Sequence, residues 1–238
     1  MLNNLNLKFY NTFASSFTAS RGEVEPGLAF LFEGVTPGQR ILDLGCGQGR
    51  VAQMLPRGCI YVGMDFSEEM VALARQRPGP ENGEAHFIVG DLLAPGWQAA
   101  ISGVYDWIVL RAVLHHIPGA TNRQRIVREA AGLLAPEGKL ILANWQFLEI
   151  RRLRERILPW DTTLGLSPEQ LDAGDYLLDW RRDGYGLRYL HLVDEAETLS
   201  LSQMAGMSIE KLFHADGHGN NLTLYAVLGY PDPPCVKE

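Results

Sequence analysis

Ile41-Leu42-Asp43-Leu44-Gly45-Cys46-Gly47-Gln48-Gly49-Arg50 is the stretch that decides the fold. An apolar run enters a glycine-rich turn and leaves it in a helical pattern over residues 49–55. Strand, glycine turn and helix, in that order, build a ligand crevice at the carboxyl edge of an open α/β sheet. Gly45 and Gly47 let the backbone approach a ligand with no Cβ in the way. Asp65 stands twenty residues beyond Gly45, at the end of the next apolar run, where a carboxylate can accept both hydroxyls of a ribose.

Working outward, short apolar runs at 40–44, 59–64, 86–89, 107–110 and 139–144 read as strands. Helical patterns at 49–55, 67–75 and 122–134 fall between them. Continuous apolar strands separated by helices indicate a parallel sheet covered on both faces. Ser67, followed by Glu68 and Glu69, reads as a helix N-cap with acids in the first turn. Gly138 closes a turn into the fifth strand. Beyond Trp145, residues 146–190 are rich in Arg, Asp, Gly and Trp without clean alternation, and read as an insertion forming a lid. Asp194 then caps a helix to about Met204, and strands at 209–214 and 222–228 flank a turn at 216–221. At the other end, Phe9, Phe13 and Phe17 share one face of a helix, which either packs on the sheet or covers the crevice, and can do both. The expected organisation is a single domain over 1–238: a helical cap (1–35), a cofactor-binding core (36–145), the lid (146–190), and a closing helix and hairpin (191–230).

The composition is that of an ordinary globular chain. It has 238 residues, 46% of them hydrophobic and 21% charged, enough to bury roughly 70–75% of its unfolded surface without staples. Cys46, Cys59 and Cys235 form no CxxC and no metal-ligand spacing, so neither a disulfide framework nor a metal site is expected. No secretory pattern opens the chain and no apolar run approaches the roughly 18 residues of a membrane span. A reducing, cytoplasmic setting is expected. The net charge of −7 disfavours a broad nucleic-acid footprint and suits a cationic small ligand.

Two cofactor classes use this architecture. The dinucleotide fingerprint GxGxxG needs a third glycine, and Arg50 occupies that position. Asp43, behind the loop, would also repel a pyrophosphate. S-adenosylmethionine carries a sulfonium and an ammonium against one carboxylate, and its net positive charge suits a loop flanked by Asp43, Asp65 and Asp91. Asp91, after the third strand, can accept from an adenine amino group, with Leu92 and Phe66 against the ring faces. A turn-capping Asp is the plain alternative for Asp91 taken alone; four elements in order at strand ends outweigh it.

These residues resemble the class I S-adenosylmethionine-dependent methyltransferases over nearly the whole chain. The matching pieces are Asp43 to Gly49, Gly63-Met64-Asp65, Gly90-Asp91-Leu92 and Leu133 to Leu140. The resemblance implies an α/β, Rossmann-like sheet of seven strands, mostly parallel with helices on both faces, the last strand antiparallel. It implies S-adenosyl-L-methionine as cofactor and a cofactor set of Tyr10, Arg21, Asp43, Gly45, Cys46, Gly47, Gly49, Asp65, Phe66, Asp91, Leu92 and Arg111. A narrower resemblance, to the tRNA wobble-uridine carboxymethyl methyltransferases, is carried by Tyr10-Asn11, Ala14, Phe17 and Arg21, by Ala112 to His116, and by Arg188-Tyr189-Leu190-His191 with Asp175 and Trp180 upstream. It implies that Arg21 holds the methionine carboxylate, that Arg188 and His191 face the acceptor, and that a small activator subunit is compatible. Arg111 and Asn221 depart from that family's pattern, and Arg151, Arg152, Arg154 and Arg156 read as a solvated helix face.

A carboxylate acceptor is ionised at pH 7 and needs no base. A hydroxyl or amine needs one, and His115 or His116 is the candidate, although adjacent residues diverge and one at most reaches the acceptor. Three readings stand: methyl transfer to an oxygen acceptor such as a tRNA carboxymethyl group, methylation of a small molecule at O or N, and a non-catalytic S-adenosylmethionine-binding subunit. A nucleotide-dependent reductase is disfavoured by Arg50.

Overall fold

The structure, a computed structural model, describes residues 1–19 and 25–231. The strands are β1 (Arg40–Leu44), β2 (Ile60–Asp65), β3 (Glu84–Val89), β4 (Tyr105–Arg111), β5 (Leu134–Trp145), β6 (Ile157–Leu158), β7 (Asp175–Trp180), β8 (Gly186–His191), β9 (Ser208–Ala215) and β10 (Thr223–Gly229). The helices are α1 (Leu2–Ala19), α2 (Pro26–Phe32), α3 (Glu68–Arg75), α4 (Ala120–Ala131), α5 (Arg151–Arg154), α6 (Trp160–Leu164) and α7 (Glu195–Met204). Seven strands form the main sheet in the order β3-β2-β1-β4-β5-β10-β9. Every pair is parallel except those of β10, which runs antiparallel to both β5 and β9. The expected Rossmann-like sheet with an antiparallel last strand is therefore present.

Alternate side chains of each central strand serve two cores. Leu42, Leu44, Val62, Met64, Ile108 and Leu110 pack with Ile126, Val127 and Ala130 of α4 and Leu201 of α7. Ile41, Tyr61, Val109 and Ile141 pack with Leu28, Leu31 and Phe32 of α2 on the other face. Burial on both faces is why these strands read as unbroken apolar runs.

The differences from the sequence reading have local causes. The helix expected over 49–55 is a single 3-10 turn, Val51–Met54. Pro56 follows, and Leu55 before it takes the extended φ −79°, ψ 148° that a residue preceding proline prefers. The turn at Pro136–Gly138 lies inside β5 as an irregularity, with Glu137 at φ 65°. The stretch expected as a lid, 146–190, instead builds most of a second sheet, β6-β7-β8, all antiparallel and ending at His191. Its hairpin turns through Asp183 (φ 55°) and Gly184 (φ 130°). Asp-Gly between apolar runs is a hairpin signal, here in a five-residue loop.

Helix α1 lies across α3 and β8 and roofs the carboxyl edge of the main sheet. Phe9 and Tyr10 pack with Met70 of α3 and Trp180 of β7. Asn6 is fully buried and behaves as a surrogate strand neighbour for β8. Its Oδ1 accepts from the Tyr189 backbone N–H at 2.9 Å, and its Nδ2 donates to the Tyr189 carbonyl at 3.1 Å and the His116 carbonyl at 3.3 Å. Replacing Asn6 with Leu leaves these buried groups unpaired. Urea unfolding should record a loss of about 1–3 kcal/mol; a loss below about 0.5 kcal/mol would mean that water replaces the amide.

Candidate active site

The strand order places four chain segments in a row at the carboxyl edge: Asp91 after β3, Asp65 ending β2, Gly45 to Gly47 after β1, and Arg111 ending β4. Neighbouring strands are about 4.8 Å apart, so the row spans about 14 Å. Above it lies a cleft enclosing ≈ 950 Å³, part of it open solvent. Tyr10, Gly45, Cys46, Gly47, Asp65, Phe66, Asp91, Leu92, Arg111 and His116 line it, as do Asn3, Phe17 and Arg50.

Each lining group has a local cause. Gly45 sits at φ 76°, and a Cβ there would come 2.3 Å from Val113 Cγ2. At Gly47, φ 54°, a Cβ would meet nothing within 4 Å, so this backbone faces open cleft. The Asp65 carboxylate accepts from the Gly47 N–H at 2.8 Å and the Ser67 N–H at 3.0 Å. Burial nevertheless raises its pKa to about 6 against these hydrogen bonds. Asp91 accepts from the Leu93 N–H at 2.8 Å and from Asn3 Nδ2 of α1 at 3.0 Å. The Tyr10 hydroxyl meets His116 Nε2 at 2.7 Å, with its ring 6.1 Å from that of Phe66. Burial pushes the Cys46 thiol up, well away from a reactive thiolate. Arg111 makes a two-pronged ion pair with Glu25, Nε to Oε2 at 2.6 Å and Nη2 to Oε1.

Other predicted residues lie elsewhere. Asp43 is buried behind the loop, accepts from the Tyr61 hydroxyl at 2.7 Å, and has its pKa raised to about 6 by burial. Gly49 packs against β3, where a Cβ would stand 2.8 Å from Phe87 Cε1. His115 is fully buried, stacked on Trp145 at 5.2 Å. Arg21 lies outside the described residues. His191 does not face the cleft: Nδ1 meets Asp175 at 2.7 Å and Nε2 meets Glu197 at 2.8 Å. Burial works against its protonation, but the two carboxylates prevail and raise its pKa.

Arg188 does not line the cleft either, but it points away from His191 because both belong to one strand. Side chains alternate along β8, so positions 188 and 191 face opposite ways. The Arg188 guanidinium lies over Phe9, Trp180, Phe17 and Trp145, 4.9–5.9 Å from the ring centroids. It bonds the Tyr10 hydroxyl, while Nε and Nη1 find no partner among the described residues. Burial lowers its pKa. Cation–π contact of about 0.5–2 kcal/mol per ring helps such a cation remain inside.

The cleft fits S-adenosylmethionine. Open backbone at Gly47, a carboxylate at each of two strand ends and aromatic Tyr10 and Phe66 are the features its adenosine and sulfonium parts require. Comparison with known proteins agrees. A methyltransferase from Methanosarcina mazei superimposes with TM-score 0.64, covering 88% of this chain and 99% of that one at 21% identity. Magnesium protoporphyrin IX methyltransferase from Synechocystis, with S-adenosylhomocysteine bound, gives 0.64 over 97% and 100% at 19% identity. These likenesses establish the fold. Residues 42–142 match the methyltransferase domain family. Over that segment the chain carries a methyltransferase domain, set in the fold of the S-adenosylmethionine-dependent methyltransferases. Among curated relatives, it is 29% identical over 136 residues to the mouse tRNA (carboxymethyluridine(34)-5-O)-methyltransferase ALKBH8, 57% of this chain and 19% of that protein. It is 31% identical over 108 residues to a ubiquinone biosynthesis O-methyltransferase of Xanthomonas axonopodis, 45% of this chain and 43% of the other. The chain thus spans less than half the length of these relatives. No helix among the described residues is long and apolar enough to cross a membrane.

Two predictions follow from the acids. Asp65→Ala should weaken adenosylhomocysteine binding by about 2–4 kcal/mol in calorimetry, because two charged hydrogen bonds to ligand disappear; unchanged affinity would remove Asp65 from the ribose site. The second concerns pH. Asp43 and Asp65 ionise near 6 in the fold, against 3.8 as free groups. The fold therefore binds more protons than the unfolded chain between about pH 4 and 6, and stability falls as pH rises through that window. A cationic cofactor favours the ionised acids. Its affinity should rise from pH 5 to 7, with proton release visible as buffer-dependent heat near pH 5.5 and absent at pH 8. Affinity independent of pH would contradict this.

Proposed function

We propose that this protein transfers the methyl group of S-adenosylmethionine to an oxygen, and that the acceptor is a carboxylate of the kind carried by a carboxymethylated tRNA wobble uridine. The observation that carries this reading is Arg188. Among the described residues its Nε and Nη1 lack partners, in a buried aromatic box beside Tyr10, which itself lines the cleft. Buried donors rarely go unsatisfied without a ligand, and a guanidinium edge matches a carboxylate with two parallel hydrogen bonds. The likeness to tRNA carboxymethyluridine methyltransferases supports the same chemistry.

The cofactor supplies an activated methyl group. The residues of this chain have three tasks. Asp65 and the glycine loop orient the donor, α1 excludes water, and Arg188 holds the acceptor carboxylate in its ionised form. Alignment of an already ionised nucleophile is then the main contribution. Arg151, Arg152 and Arg154 are exposed on α5 and available to a phosphate backbone, although Arg151 pairs with Glu155 at 2.8 Å.

A second reading has its own observation. Tyr10 and His116 form a hydrogen-bonded pair at the cleft wall, able to accept a proton from a small hydroxyl or amine. The net charge of −7 favours such a substrate, as does the likeness to ubiquinone biosynthesis O-methyltransferases.

Tritiated-methyl transfer to bulk tRNA, compared with a metabolite extract, separates them. For the carboxylate reading, Arg188→Lys keeps a cation among the rings but loses the fork. The transfer rate should fall by at least about tenfold with adenosylhomocysteine affinity nearly unchanged. At saturating cofactor the rate should be flat from about pH 6 to 8. A rate rising steeply through pH 7 and abolished in His116→Ala would establish the base-assisted reading instead.

A further inference from the structure

The small sheet brings two separate arginine-rich stretches to one end. β6 runs antiparallel to β7, and the Asp179 backbone N–H donates to the Arg156 carbonyl at 3.1 Å. The chain leading into β6, with Arg151, Arg152 and Arg154 of α5, therefore lies beside the end of β7 and the loop that follows it. That loop is Arg181-Arg182-Asp183-Gly184-Tyr185, exposed at every residue. It is not slack. Trp180 Nε1–H donates to the Arg182 carbonyl at 2.6 Å, and Arg181 Nε–H donates to the buried Asp179 carboxylate at 2.6 Å. Trp180 pairs with Gly186, so Arg181 and Tyr185 begin and end the loop side by side. The Tyr185 side chain is left 63% exposed among these arginines.

Residues 149–156 and 179–185 hold six arginines against four acids, in a chain whose net charge is −7. Two of those acids are spent inside the patch, Asp179 on Arg181 and Glu155 on Arg151. The remaining surface repels phosphate, so a polyanion is drawn to this end. An arginine fork matches phosphate, and an exposed tyrosine ring stacks on a base. A single strand offers such base faces, whereas a duplex keeps its bases stacked on one another.

The patch also adjoins the cleft. A Cβ added at Gly184 or Gly186 would stand 3.2 or 2.6 Å from the Phe13 ring of α1. Tyr10 and Phe17 of the same helix line the cleft. They lie within one turn of Phe13, and a turn rises about 5.4 Å. We infer that this end of the small sheet is a docking surface for single-stranded RNA, with the arginines on phosphates and Tyr185 against a base that flanks the one entering the cleft. The inference rests on the tRNA reading of the acceptor, whose anticodon loop is such a strand.

The test is fluorescence anisotropy with two labelled probes, an oligouridylate of about 12 nucleotides and an RNA duplex of the same length. The oligouridylate should bind more tightly than the duplex, and log K should fall linearly with log salt. Tyr185→Ala should weaken oligouridylate binding at least about fivefold, the loss of one stacked base, and duplex binding by less than about twofold. Tyr185→Phe keeps the ring and should stay within about twofold of the parent. The double variant Arg152→Gln, Arg182→Gln should flatten the salt slope by about one unit. Arg181 is kept, because its loss would leave the buried Asp179 unpaired. The altered side chains are all exposed, so circular dichroism should be unchanged. A duplex bound as tightly as the single strand, an unchanged slope, or full affinity in Tyr185→Ala overturns the surface. So does a preference for anionic phospholipid vesicles over either RNA. Oligouridylate bound through these residues, with no methyl transfer to tRNA, keeps the surface and removes the wobble-uridine acceptor. Methylation of tRNA by Tyr185→Ala with an unchanged KM does the reverse.

Discussion

One carboxylate organises the cofactor end of this protein. Asp65 accepts backbone N–H groups from both sides, from Gly47 at 2.8 Å and from Ser67 at 3.0 Å. The first ties the glycine loop to the end of β2. The second fixes Ser67, whose hydroxyl caps α3 at the Met70 N–H and donates to Asn11 of α1 at 2.6 Å. Loop, strand end, helix start and roof are thus joined through a single side chain. Their geometry is set before any ligand arrives, which lowers the ordering cost of binding. Burial resists ionisation of that carboxylate, so each further hydrogen bond donated to it favours the charged form.

The central sheet was legible because its signals are local. A strand buried on both faces announces itself as an apolar run, and β1 is found at the expected residues 40–44. Ser67 and Asp194 cap their helices as their side chains predict. What was lost also had local causes, of a kind that the apolar pattern does not display. The turn Val51–Met54 is cut short by Pro56, and the small sheet β6-β7-β8 rests on a hairpin whose Asp183-Gly184 signal sits in a loop longer than the commonest two residues.

The site was legible by the same standard. Gly45, Gly47, Asp65 and Asp91 stand at strand ends, where any ordered α/β sheet must bring them together. Asp43 stands two residues before Gly45, inside the strand, and its side chain goes to the face that holds Tyr61. Chain order alone does not assign that face. Of His115 and His116, neighbours that diverge, one reaches the cleft and the other stacks on Trp145. Asn3 and Asn6 were invisible, because an amide on a helix forms no motif until the partner strand is known. The chemistry of the roof is written in residues that sequence patterns treat as filler.

The small sheet resolves a conflict that the linear run Arg188-Tyr189-Leu190-His191 conceals. Once the run is a strand, its odd and even residues serve opposite faces. The odd face is saturated: the Tyr189 hydroxyl and His191 both bond Asp175, at 2.7 Å each, and His191 continues to Glu197, which also binds Arg123 of α4 at 2.6 Å. With Glu197 on α7, this network fastens the insertion to two core helices. The even face has no such closure. Arg188 points beneath α1 among aromatic rings, with donors left over. A fully paired ion network gives rigidity but nothing to bind with, whereas an underpaired buried cation costs stability and is poised for an anion. Fastening by one face lets the other hold Arg188 in place against that cost, so His191 acts on Arg188 by fixing the strand that carries both.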